Sequence, residues 1–188
     1  MSMRLIVGSK RFSSWSLRPW LLAKQFDIPF EEIVIPLYRP ETAALIKQHS
    51  PSGRVPVLID GDLPIWDSLA IAEYLAEKYP DRQLWPKDLK TRAHCRSVTA
   101  EMHSGFSAMR EQLSMDVLKS VPTPELKKGV ASDVKRIEEV WTECLKKSGG
   151  PFLFGAFTIA DAMYAPVVTR FQTYGIELPE DLRAYQRR

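Results

Sequence analysis

The sequence predicts an α/β unit over residues 1–80 followed by an all-helical part over residues 88–188. Three observations carry this division. Short apolar runs alternate with helical patterns in the first 80 residues. Apolar stripes at spacings of three and four dominate afterwards. Between them Pro80, Asp81, Trp85 and Pro86 interrupt the helical periodicity.

Within the first part, Arg4-Leu5-Ile6-Val7 is a short apolar run ended by Gly8, the pattern of a buried strand. Ser13-Ser14-Trp15-Ser16 supplies three candidate helix N-caps, and Leu17, Trp20, Leu21 and Ala23 to Phe26 follow at roughly helical spacing. Pro19 constrains the start. With Ser16 as the cap, Pro19 is the third helical residue, where a missing N–H costs nothing; an earlier cap would put it inside the ladder. Phe30 to Pro36 reads as a second strand, and residues from about Glu41 to Gln48 as a short helix. Val55 to Ile59 and Leu63 to Trp66 flank Asp60-Gly61-Asp62, which predicts a hairpin. Asp67 and Ser68 open a helix carrying Leu69, Ala72, Leu75, Ala76 and Tyr79 on one face, stopped by Pro80. The predicted order is βαβ-α-ββ-α.

In the second part Cys95, Val98, Met102, Phe106, Met109 and Leu113 form one stripe. Leu126, Val130, Val134, Ile137, Trp141 and Leu145 form another, before Ser148-Gly149-Gly150-Pro151 breaks the chain. Thr158-Ile159-Ala160-Asp161 has the form of a helix start, with Thr158 and Asp161 as capping residues, and Pro166 should kink the helix that follows. The five tryptophans, Trp15, Trp20, Trp66, Trp85 and Trp141, read as core and interface residues.

Composition excludes several functions. Residues 1–80 hold 9 basic and 9 acidic side chains, and the rest of the chain 17 and 14, for a net charge of +3 with no basic block. That gives no support to nucleic-acid binding. Cys95 and Cys144 lie far apart with no CxxC, so neither a redox dithiol nor a Cys-rich zinc site is encoded. No histidine pair has metal-ligand spacing, His49 and His94 read as structural or surface residues, and neither G-x-S-x-G nor G-x-G-x-x-G occurs. No apolar run approaches the ~18 residues of a membrane span, and the N-terminus does not read as a signal peptide. The expectation is a soluble, reduced, cytoplasmic protein without metal, nucleic-acid or membrane partners.

Four local patterns, in order, resemble the soluble glutathione transferases. Ser13-Ser14-Trp15-Ser16-Leu17-Arg18 resembles the S-S-C-S-W-R stretch of the zeta class, with Trp15 in place of Cys. Pro51 to Leu58 resembles the N-P-x-x-K-V-P-x-L stretch before the third strand, with Ser50 in place of Asn. Asp67-Ser68 resembles the E/Q-S pair at the third helix, and Gly155 to Asp161 resembles the capping stretch in the helical domain. The resemblance covers about Arg4 to Phe171 and points to a serine-type, zeta- or tau-like member. It implies a thioredoxin-like glutathione-binding domain over 1–80 and an all-helical domain over 88–188. Family members usually continue beyond the point where this sequence stops with one or two more helices.

The resemblance implies a chemistry with a definite energetic demand. A free thiol with a pKa of roughly 8.5 is only slightly ionised near neutrality, and lowering it to about 6.5 requires ~2.7 kcal/mol of preferential thiolate stabilisation. One hydroxyl donor and a helix N-terminus together are of that size. Ser13 is the implied thiolate donor and Ser14 the reserve; both could instead merely cap the helix. A cis Val55-Pro56 bond would present the Val55 backbone to an extended peptide. Arg54 could hold the glycine carboxylate of glutathione, Ser68 its γ-glutamyl carboxylate, and Asp67 its ammonium, although Asp67 is shorter than the family's Glu or Gln. The electrophile pocket is expected between the domains, where His103 and Arg110, seven residues apart, would share a face with Phe106 nearby. The implied activity is transfer of glutathione to a small electrophile, in detoxification, by a homodimer. The alternatives are a glutathione-dependent cis-trans isomerase of the maleylacetoacetate isomerase type, which Trp15 disfavours, and a non-catalytic glutathione-binding or assembly module.

Overall fold

Strand β1 (Arg4–Gly8) is the centre of the first unit because its apolar run lets it be covered on both faces: Leu5, Ile6 and Val7 are buried. A computed structural model describes residues 3–188 and divides them into two units, one ending at Leu84 and one beginning at Trp85. In the first, α1 (Ser14–Gln25) carries the chain to β2 (Glu31–Ile35), which pairs parallel with β1 at Ile6↔Ile33. After α2 (Thr42–Lys47), β3 (Val57–Asp60) pairs antiparallel with β1 at Leu5↔Leu58, and β4 (Leu63–Trp66) completes the hairpin. The sheet order is β2-β1-β3-β4, and α3 (Ser68–Lys78) follows β4 directly. Ile6, Ile35, Ile46, Val57 and Ile59 form the core under α2, with Ile33, Leu37, Leu45 and Val55 packed around them.

The start of α1 corrects the expectation from Pro19. Ser13, not Ser16, is the N-cap: its Oγ accepts the Ser16 amide at 3.3 Å. Pro19 is therefore the sixth helical residue, and α1 runs through it at the cost of one ladder bond. Ser16 is held elsewhere, since its Oγ accepts the Gly8 amide at the end of β1 at 3.0 Å. The buried apolar residues of α1 are Pro19, Leu22 and Ala23 rather than Leu17 and Leu21, and in α3 Ile71 replaces Leu69 on the covered face.

The second unit contains α4 (Leu89–Ser104), α5 (Ser107–Gln112), α6 (Lys128–Ser148), α7 (Ile159–Thr173) and α8 (Glu180–Gln186). The stripe from Cys95 to Leu113 is not one helix face. The chain breaks at Gly105 and at Phe106, whose φ of 61° is left-handed. The stripe on α6 buries Val130, Val134, Ile137, Val140, Trp141 and Cys144. The Trp141 ring packs edge-on against Tyr164 of α7 and Tyr185 of α8, and tilted against Phe171. Gly149 caps α6 at φ 65°, and Gly150 is required by close approach, because a Cβ there would lie 2.5 Å from the Gly155 backbone. Thr158 and Asp161 form the capping box of α7, which continues through Pro166.

Candidate functional site

The first unit holds a crevice of about 490 Å³ lined by Trp15, Ser52, Arg54, Val55, Pro56, Trp66, Asp67 and Ser68. Three segments meet there: the first turn of α1, the loop before β3, and the passage from β4 into α3. Five of the residues expected to bind a peptide, Arg54, Val55, Pro56, Asp67 and Ser68, are thus brought together. The Val55-Pro56 bond is cis.

The loop before β3 is clipped by Ser50, the residue standing where the motif has Asn. Its buried hydroxyl donates to the Arg54 carbonyl at 2.7 Å and accepts the Arg54 amide at 3.2 Å. Its single proton is thereby spent, so Ser52, 3.1 Å away, is the donor between the two hydroxyls. One serine therefore fixes both backbone groups of Arg54, a residue that lines the crevice.

At the opposite wall Asp67 is the N-cap of α3. Its Oδ1 accepts the amides of Leu69 at 2.8 Å and Ala70 at 3.3 Å, while its φ of 75° is unusual for a residue with a Cβ. This cap takes two of the first amides of α3 and leaves the Ser68 end of the helix turned to the crevice, a disposition suited to an anion. Ser68 Oγ accepts Arg18 Nη1 at 3.4 Å.

Ser13 and Ser14 are buried at the start of α1 and do not line the crevice; Trp15, between them and Ser16, does. Ser13 donates its proton to Ser16 Oγ at 2.8 Å. Of the five tryptophans expected in core or interface positions, Trp15 and Trp66 are not core residues. They remain 38% and 46% exposed and wall the crevice, whereas Trp141 is fully buried. The sequence held one clue: Trp15 falls inside the serine motif and Trp66 directly precedes Asp67.

His103, Phe106 and Arg110 do not form the shared face expected of them. His103 is on α4, Phe106 lies in the break, and Arg110 is on α5. The Arg110 guanidinium donates to the carbonyls of Gly105, at 2.9 Å, and Met102, which makes it a cap for the C-terminal end of α4. Burial pushes the Arg110 pKa down, and the Phe106 side chain is buried. No group of three or more His, Cys, Asp or Glu able to hold a metal ion forms among the described residues, and no helix there is long and apolar enough to cross a membrane.

Two family models match this chain, the glutathione S-transferase N-terminal domain over residues 12–78 and the C-terminal domain over residues 98–187. The chain belongs to the glutathione S-transferase family. A probable maleylacetoacetate isomerase of Caenorhabditis elegans is 30% identical to it over 169 residues, covering 88% of this chain and 77% of the relative. Glutathione S-transferase 1 of Dianthus caryophyllus is 31% identical over 191 residues, covering 95% and 81%. A glutathione transferase homologue from Burkholderia, solved with bound glutathione, has the same fold, with a TM-score of 0.76 at 23% identity over 100% of this chain and 90% of the homologue. In this transferase-family chain, the four-stranded sheet with its helices is the thioredoxin-like domain, and the helices after it are the helical domain.

Proposed function

We propose that this chain is a glutathione transferase that binds glutathione in the crevice and delivers its sulfur, as thiolate, to a small electrophile. The observation that carries the reading is the convergence of Arg54, Val55, Asp67 and Ser68 on one crevice beside the N-terminus of α1. An extended tripeptide with a carboxylate at each end matches that set. Arg54 offers a charge-assisted bond to the glycine carboxylate, Ser68 and the start of α3 receive the γ-glutamyl carboxylate, and Asp67 faces the ammonium.

Ser13 is the proposed thiolate donor, with Ser14 as the alternative. The Ser13 hydroxyl donates to Ser16 in the resting arrangement, so donation to sulfur requires that bond to reverse. Reversal leaves both hydroxyls satisfied. Ser16 keeps the Gly8 amide as donor and gives its own proton to Ser13, and Ser13 turns its proton to the thiolate. The hydroxyl donor and the positive end of α1 together supply the ~2.7 kcal/mol that a two-unit shift of the thiol demands.

The test is the ultraviolet absorbance of the thiolate of bound glutathione against pH. Ser13→Ala should raise the bound thiol by about 1–2 units at ~1.36 kcal/mol per unit while leaving glutathione affinity nearly unchanged. If Ser14→Ala does this instead, the donor is Ser14. A thiol that stays protonated at neutrality in the wild type defeats the reading.

Isomerase activity is the second reading, favoured by the likeness to the nematode maleylacetoacetate isomerase. The same thiolate would add to the substrate and leave again. Turnover of maleylacetone, with no conjugate from a panel of electrophiles, would select it. Resemblance to the family further supports a cytoplasmic homodimer acting in detoxification.

A further inference from the structure

Arg18, on α1, is 1% exposed, one of the largest fully buried side chains of the protein. It touches two crevice walls at once. Its Nη1 donates to Ser68 Oγ at 3.4 Å, and its guanidinium carbon lies 4.2 Å from the centre of the Trp15 ring, three residues earlier on α1. A buried cation here is electrostatically unexpected. It sits among the N-terminal ends of α1 and α3, each of which already carries positive partial charge, and neither helix has an acidic residue in its first turn. Asp67, which directly precedes Ser68, caps α3 and lines the crevice where a carboxylate would dock.

We propose that Arg18 is a positioning residue for the carboxylate subsite, aiming the Ser68 hydroxyl proton into the crevice and holding the Trp15 ring as its wall. The inference rests on the glutathione reading and deepens it. A serine hydroxyl that accepts an N–H from a guanidinium has its lone pair engaged, so its own proton points away from the cation, toward the crevice. Polarisation by the positive charge makes that proton a better donor to an anion. The cation–π contact fixes Trp15 against the same group, so orienting the hydroxyl and placing the aromatic wall are one event. Arg18 thus selects ligands with a carboxylate at the γ-glutamyl end, without touching the reacting sulfur.

The experiment compares glutathione with its analogue lacking only the γ-glutamyl α-carboxylate, γ-aminobutyryl-cysteinyl-glycine, by titration calorimetry on the full chain. Arg18→Met should weaken glutathione by about tenfold or more while changing the analogue less than about twofold. The loss should disappear in a Ser68→Ala background. Arg18→Lys, which keeps charge but loses the planar fork, should fall between. Equal losses for the two peptides, or an undiminished loss without Ser68, overturn the role of Arg18 and leave the glutathione reading standing. A collapsed far-ultraviolet spectrum in both Arg18 variants assigns the residue to the core and overturns the proposal. Absence of glutathione uptake by the wild type instead defeats the functional reading and this inference with it.

Discussion

Replacing Asp161 tests how the helical unit is held together. The side chain is buried, and four donors converge on it. Oδ2 accepts the Thr158 amide at 2.8 Å and the Thr158 hydroxyl at 3.0 Å; Oδ1 accepts the Leu153 amide at 3.0 Å and the Tyr185 hydroxyl at 3.1 Å. Burial pushes the carboxyl pKa up, and the four hydrogen bonds oppose that push. The two hydroxyls can turn to accept or to find another partner, but the two backbone amides cannot. Asp161→Ala leaves both amides without an acceptor in a site water does not reach, at about 1–3 kcal/mol each, so the expected loss is about 2–6 kcal/mol. Asp161→Asn keeps one acceptor oxygen and turns an NH2 group toward one amide, so about half that loss is expected. At about 2–4 °C per kcal/mol for a chain of this size, the amide variant should melt ~2–12 °C lower, and the alanine variant further. Urea unfolding followed by fluorescence reports the same unit, because Trp141 packs against Tyr185, the residue that donates to Asp161. Equal destabilisation by the two substitutions, or a loss under 1 kcal/mol for Asp161→Ala, would refute the accounting by orphaned amides.

Three further outcomes follow from individual sites. Ser50→Ala removes the hydroxyl that holds both backbone groups of Arg54. The KM for glutathione should rise several-fold with kcat preserved, and a change confined to kcat would count against the clip. Lys78 and Tyr74 hold the Asp60 carboxyl below the usual carboxylate range, first through the lysine hydrogen bond and then through the tyrosine. A depressed folded pKa gives stability that is present above about pH 4, the unfolded value, and is lost as the pH falls through the folded one. The urea midpoints of wild type and Asp60→Asn should therefore differ most near neutrality and converge in acid; divergence in acid would contradict the assignment. Burial pushes the thiols of Cys95 and Cys144 up to about 12. A disulfide reagent at pH 8 should label neither in the native protein and two thiols in urea, and rapid native labelling of either would show that its side chain reaches solvent.

Much of the α/β unit was legible because its elements depend on local chemistry. Alternating apolar runs, an Asp-Gly-Asp turn and a prolyl stop each act within a few residues. The cap of α1 was misplaced for a long-range reason. As serines Ser13 and Ser16 are equally good caps and Pro19 locally favours Ser16, yet the choice falls to Ser13 because the amide at the end of β1 occupies the Ser16 hydroxyl. The supposed face of His103, Phe106 and Arg110 failed because periodicity continues on paper through a bend. Only the fold shows Phe106 in a left-handed conformation and Arg110 turned onto the carbonyls of α4.

Taken alone, the amino-acid order determined the element sequence of the first unit, the hairpin and the capping box of α7, since each is written in short stretches whose preferences are intrinsic; Arg54, Val55, Pro56, Asp67 and Ser68 were expected at one site only through their likeness to the family's motifs. Tertiary structure decided which serine caps α1, which tryptophans wall the crevice and why a buried arginine stands behind Ser68. Those outcomes depend on which groups compete for the same partner once strands and helices far apart in sequence come within hydrogen-bonding distance, and no local pattern records that competition.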